Sequence, residues 1–103
     1  MIWFVFDMNG FPEPLHLSLR RAFARQARRG GAAIDSHLFA ASADHNAIPS
    51  AYYLRTEDGT LFNRLIRQFG GKRCTPPSPE KVREVKQEND PKASVQEMDS
   101  TPC

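Results

Sequence analysis

Residues 2–31 read IWFVFDMNGFPEPLHLSLRRAFARQARRGG, and the change of period inside that stretch decides the fold. Residues 2–6, IWFVF, are aromatic and β-branched and run into a turn containing Gly and Pro, the pattern of a fully buried strand. Past the turn DMNGFPEP, Pro14 suits the first position of a helix, where its missing N–H costs nothing. Leu15, Leu19, Ala22, Phe23 and Ala27 then recur at helical spacing and define one apolar face. Arg20, Arg21, Arg25, Arg28 and Arg29 occupy much of the opposite side. Arginines in the last turn are favoured by the helix dipole, and Gly30-Gly31 supplies the stop.

Downstream the pattern is less uniform. Residues 32–42, AAIDSHLFAAS, fit either a short helix starting at Ser36 or a short strand over His37–Ala41. The polar loop ADHNAIPS leads to an expected strand at Ala51–Arg55. Asp58-Gly59 marks a turn, with Thr60 as the N-cap. Leu61, Leu65 and Phe69, flanked by Phe62 and Ile66, give a second amphipathic helix ending at Gly70-Gly71, with a hairpin through Asp58-Gly59 as the competing assignment. The expected fold class is α/β, with α+β as the alternative. It is a small single domain with a β-α-β-like start followed by a strand and an amphipathic helix. Its expected core is Trp3, Val5, Leu15, Leu19, Phe23, Leu38, Tyr53, Leu61, Leu65, Ile66 and Phe69, a modest one that implies marginal stability.

From Cys74 the composition changes. Residues 74–103 hold five of the eight prolines and no Leu, Ile, Phe, Tyr or Trp, so they lack the apolar surface that offsets the entropy of ordering. The expected organisation is a globular domain over 1–73 and a disordered tail over 74–103. Charge divides at the same point. Residues 1–73 carry ten Lys/Arg against six Asp/Glu, a net of +4, and the tail four against six, a net of −2. A basic body with a mildly acidic tail suits an anionic partner.

Several chemistries are disfavoured. The two cysteines, Cys74 and Cys103, both lie in the tail, so no disulfide framework and no Cys-x-x-Cys metal site is expected. Lys72-Arg73 beside Cys74 should lower its thiol pKa, but no base accompanies it. His16, His37 and His45 share no helical face or ligand spacing, and Ser42, Asp44 and His45 crowd one loop rather than converging as a triad does. Neither cofactor nor metal is expected. The opening apolar run is too short for a signal-peptide core or a membrane span, and a cytoplasmic location is the default. Residues 14–34 hold five arginines and no acid, as transit peptides do, but Asp7 and Glu13 upstream argue against one.

The run FVFDMNG, residues 4–10, resembles the first motif of the haloacid dehalogenase-like phosphohydrolases, an apolar strand ending in Asp-x-Asp-Gly. The resemblance implies Asp7 as a phosphoryl-accepting nucleophile and magnesium ligand, with Asn9 in the place of the acid/base. It further implies Ser42 at the end of the next strand, against the phosphoryl group, with Asp44 nearby and Lys72 for the later lysine. Asn9 carries no proton as a carboxylate does, so a degenerate, magnesium-dependent relative is one alternative. A buried strand leaving through an Asn-Gly turn is the simpler account.

The arginine helix carries the functional expectation. Guanidinium groups pair with phosphates and release counterions, and Arg64, Arg67, Lys72 and Arg73 extend the same positive surface. The expected role is a non-catalytic basic module that binds nucleic acid or another anionic partner, such as an acidic protein, through Arg20, Arg21, Arg25, Arg28, Arg29, Arg64, Arg67, Lys72 and Arg73. A protein–protein adaptor or subunit is the other alternative.

Overall fold

Strand β1 (Ile2–Asp7) turns through Met8–Phe11 into helix α1 (Glu13–Gly30) in the computed structural model, which describes residues 1–31, 35–42 and 48–85. Strands β2 (His37–Ala41) and β3 (Ala51–Thr56) follow, then a 3-10 turn (Gly59–Phe62) continuing into helix α2 (Asn63–Phe69), and strands β4 (Lys72–Cys74) and β5 (Val82–Glu84). The sheet order is β4-β1-β3-β2-β5, every neighbouring pair antiparallel. β1 and β2 therefore run the same way, joined by α1 but separated by β3. A β-α-β-β-α-β chain arranged so is the split β-α-β, or ferredoxin-like, topology, here with β5 added at one edge. The fold is a mixed α/β domain.

Alternation decides what is buried. Phe4 and Phe6 of β1, Leu38 and Ala40 of β2, and Tyr52, Leu54 and Thr56 of β3 point to the helix side. There they meet Leu19, Ala22 and Phe23 of α1 and Phe62, Leu65 and Phe69 around α2. Phe23 and Phe62 stack with ring centres 5.5 Å apart. The expected core is thus corrected at several places. Trp3, Val5 and Tyr53 lie on the other face and are half-buried, because one side of an antiparallel sheet faces away from the core. Leu15 is exposed at the start of α1, whereas Phe4, Phe6, Met8, Tyr52, Leu54 and Phe62 form the centre. Residues 37–41 are strand, not helix; residues 32–34 lie outside the described chain. Asp58, not Thr60, caps the 3-10 turn that leads into α2, its carboxylate accepting from the Thr60 N–H at 3.0 Å. Gly70 ends α2 in the left-handed conformation, φ 72°. Its neighbour Gly71 is required for space: an added Cβ would lie 2.7 Å from Cε2 of the fully buried Phe6. Gly71→Ala should destabilise the domain by about 1–3 kcal/mol in denaturant melts.

The fold extends past the boundary expected after Arg73. β4 lies at one edge of the sheet and β5 at the other. Cys74 is level with Trp3, while Val82 is level with Ala41, in the row of Asp7. The ends to be joined are diagonal corners, about 19 Å apart across the strands and about 13 Å along them. Residues 75–81 reach at most about 29 Å, enough for the diagonal but not for a path round the rim or over the helices. The TPPSPEK strap therefore crosses the face that the helices leave open, with Pro77 and Ser78 half-buried. Residues 86–103, the rest of the expected tail, lie outside the described chain.

One ionic contact holds the far end of the strap. His37 on β2 is bracketed by Glu84 of β5 at Nδ1 and by Asp35 at Nε2, each at 2.5 Å. Partial burial lowers the imidazole pKa, but the hydrogen bonds and charges of Glu84 and Asp35 outweigh it, and the net shift is upward from 6.5. A raised folded-state pKa gives a contribution fully present below the unfolded value and lost as pH rises through the folded one. β5 pairs through only three residues. Exchange of the Val85 amide, which donates to Leu38 O at 2.8 Å, should therefore accelerate above the His37 pKa more than the chemical rate requires. That excess should vanish in His37→Gln.

Candidate functional site

Helix α1 presents Arg21, Arg25 and Arg29 four residues apart, hence along one side over about 12 Å of axis. Its buried face fixes that orientation, since Leu19, Ala22 and Phe23 are packed on the sheet. Arg64 on α2 approaches from across a groove of about 350 Å³, whose walls also include Ala22, Gln26 and Gln68. The described wall residues contain no Asp or Glu. Among the described residues none of the four guanidiniums has a carboxylate partner, although all four are exposed. Like charges one helical turn apart repel. The groove is thus a concave, positively charged surface without internal neutralisation.

Nine basic residues were expected to form one surface, and the structure places them in four settings. Arg21, Arg25, Arg29 and Arg64 line the groove. Arg28 and Arg67 are exposed on the same helices outside it. Arg20 is half-buried and lines a different cavity of about 530 Å³ with Glu13 and His16. Lys72 and Arg73 lie on the edge strand β4, Lys72 on the strap side beside Val5, Arg73 with its guanidinium 5.9 Å from the Phe4 ring centre. Gln26 is the groove residue that sequence reasoning missed. Its position beside Ala22 on the α1 wheel was the available signal, but a glutamine in an arginine run reads as a solvated neighbour.

The second aromatic surface is on the strap side. Trp3 and Phe39 meet with ring centres 5.4 Å apart, and the Arg55 guanidinium carbon lies 5.9 and 5.5 Å from the two rings. Trp3, Phe39 and Arg55 are each half-buried on this face.

The opening loop keeps part of the expected arrangement. Asp7 and Ala41 flank Ala51 in one row, so Asp7, Asn9 and Ser42 come to the same end of the sheet; Asp44 lies outside the described residues. The Asp7 carboxylate accepts the Asn9 backbone N–H at 3.0 Å, the bond that makes an Asx turn. Among the described residues no three His, Cys, Asp or Glu side chains are grouped so as to hold a metal. His16 is buried, its Nδ1 3.4 Å from the Tyr52 hydroxyl. Burial pushes the Cys74 thiol pKa up and the Arg73 charge offsets only part of this, the reverse of the lowered value expected from its basic neighbours.

No described helix is long and apolar enough to cross a membrane. Comparisons with protein-family models, curated proteins and solved structures find no match to this chain.

Proposed function

We propose that this protein is a non-catalytic binding module for nucleic acid, engaging phosphates through the groove between α1 and α2. The observation that carries this reading is the convergence of Arg21, Arg25, Arg29 and Arg64 with no carboxylate among the described groove walls. Four mutually repelling cations cost free energy in the unliganded fold. A chain of phosphates relieves that repulsion and releases its own condensed counterions. Guanidinium groups suit the task because their forked donors match phosphate oxygens in pairs.

The test is a titration of a mixed-sequence oligonucleotide between 20 and 200 mM salt. Four phosphate contacts predict a slope of log K against log salt of about −3 on a single strand. Absence of binding at the lowest salt would exclude the proposal and leave an adaptor for an acidic protein as the better reading of the same groove.

A further inference from the structure

Gln26 is 7% exposed, lines the arginine groove, and its Oε1 has no hydrogen-bond partner among the described residues. A buried amide oxygen without a partner is costly. Oε1 is enclosed in the unliganded fold; the terminal torsion of glutamine is soft, and a turn of the amide that brings Oε1 to the groove breaks no bond at the oxygen. It needs a donor, and phosphate has none to offer. A ribose 2′-hydroxyl does, and it sits one sugar away from the phosphates that the arginines would hold.

The shape of the groove narrows the ligand further. A duplex is a convex rod that accepts protruding helices or ribbons in its major groove. A slot of about 350 Å³ between two helices, with cations on both walls, admits one phosphodiester strand instead. We propose that the α1–α2 groove binds single-stranded RNA, with the Gln26 amide oxygen accepting a hydrogen bond from a ribose 2′-hydroxyl. This rests on the phosphate-binding reading above and adds to it the class of nucleic acid.

The experiment compares four probes of identical mixed sequence on the full chain: a 12-nucleotide RNA, its DNA counterpart, the 2′-O-methyl RNA, and the RNA duplex. The RNA single strand should bind roughly 2- to 10-fold more tightly than the DNA, the value of one net hydrogen bond. The 2′-O-methyl strand should bind as DNA does, because it keeps the phosphates and lacks the donor. Gln26→Met preserves volume and helix propensity and should bring the ratio of RNA to DNA affinity to about one. Equal affinity for RNA, DNA and the methylated strand, with steep salt dependence retained, would overturn the Gln26 assignment while phosphate binding stands. An RNA preference unchanged in Gln26→Met would overturn it too, and tighter binding of the duplex would overturn the single-strand assignment. Failure of all four probes to bind at 20 mM salt would remove both proposals.

Discussion

Phe6→Ala is expected to unfold most of the population under mild denaturant, whereas Val5→Ala, one residue away, should be tolerated. Phe6 is fully buried between the sheet and the helices, and its ring is in contact range of Gly71. Truncating such a ring leaves a cavity and costs about 3–5 kcal/mol. A domain of this size has a total stability of roughly 4–12 kcal/mol, so the loss is a large fraction of the whole. Val5 is half-buried on the opposite face, and losing about half the transfer free energy of two methylene-sized groups costs about 1 kcal/mol. Urea titrations of both variants decide the matter through the midpoint, with the slope unchanged. Equal losses would mean that the helices do not cover the Phe4–Phe6 face.

The second large effect is on binding. Arg21, Arg25 and Arg64 are exposed, lie on two helices, and take no part in the core, so changing all three to Gln leaves the packing intact. Each lost phosphate contact on a single strand lowers the salt slope by about 0.7, so the triple variant should lose about 2 units. At 0.1 M salt the same three contacts correspond to about 10²-fold in affinity. The melting temperature should stay level or rise, since three mutually repelling charges are removed. Fluorescence anisotropy with the RNA strand gives the first quantity and thermal denaturation the second. The corresponding change of Arg28 and Arg67, which are exposed on the same helices but outside the groove, should lower affinity much less.

Much of this fold was legible because its elements carry strong local signals. Helix α1 announces itself through the spacing of Leu19, Ala22 and Phe23, and Gly70-Gly71 marks the end of α2 where a left-handed residue is needed. The inward face of β1 was not legible. IWFVF is apolar at every position, so its alternation is silent, and only the packing of α1 and α2 on one side of the sheet makes Phe4 and Phe6 the inner pair. β5 was missed for a related reason. VRE has no apolar run of its own, and it becomes a strand because the sheet edge at Phe39–Ala41 and His37 hold it. As for the groove, periodicity put Arg21, Arg25 and Arg29 on one side of α1, but the approach of Arg64 and the burial of Gln26 depend on how α2 packs beside it. The approach of Arg64 leaves no mark in α1, and the burial of Gln26 leaves only its place beside Ala22.

The most direct measurement is of the arginine side-chain Nε–H resonances during titration with the single-stranded RNA. Guanidiniums that take phosphates should shift and broaden. The account predicts that Arg21, Arg25, Arg29 and Arg64 respond together, in proportion to occupancy and reversibly with salt, while Arg55 beneath its two rings and Arg73 over Phe4 stay in place. Shifts confined to Arg55, with the four groove resonances unmoved, would contradict it and would put the RNA on the strap side of the sheet instead of between the helices.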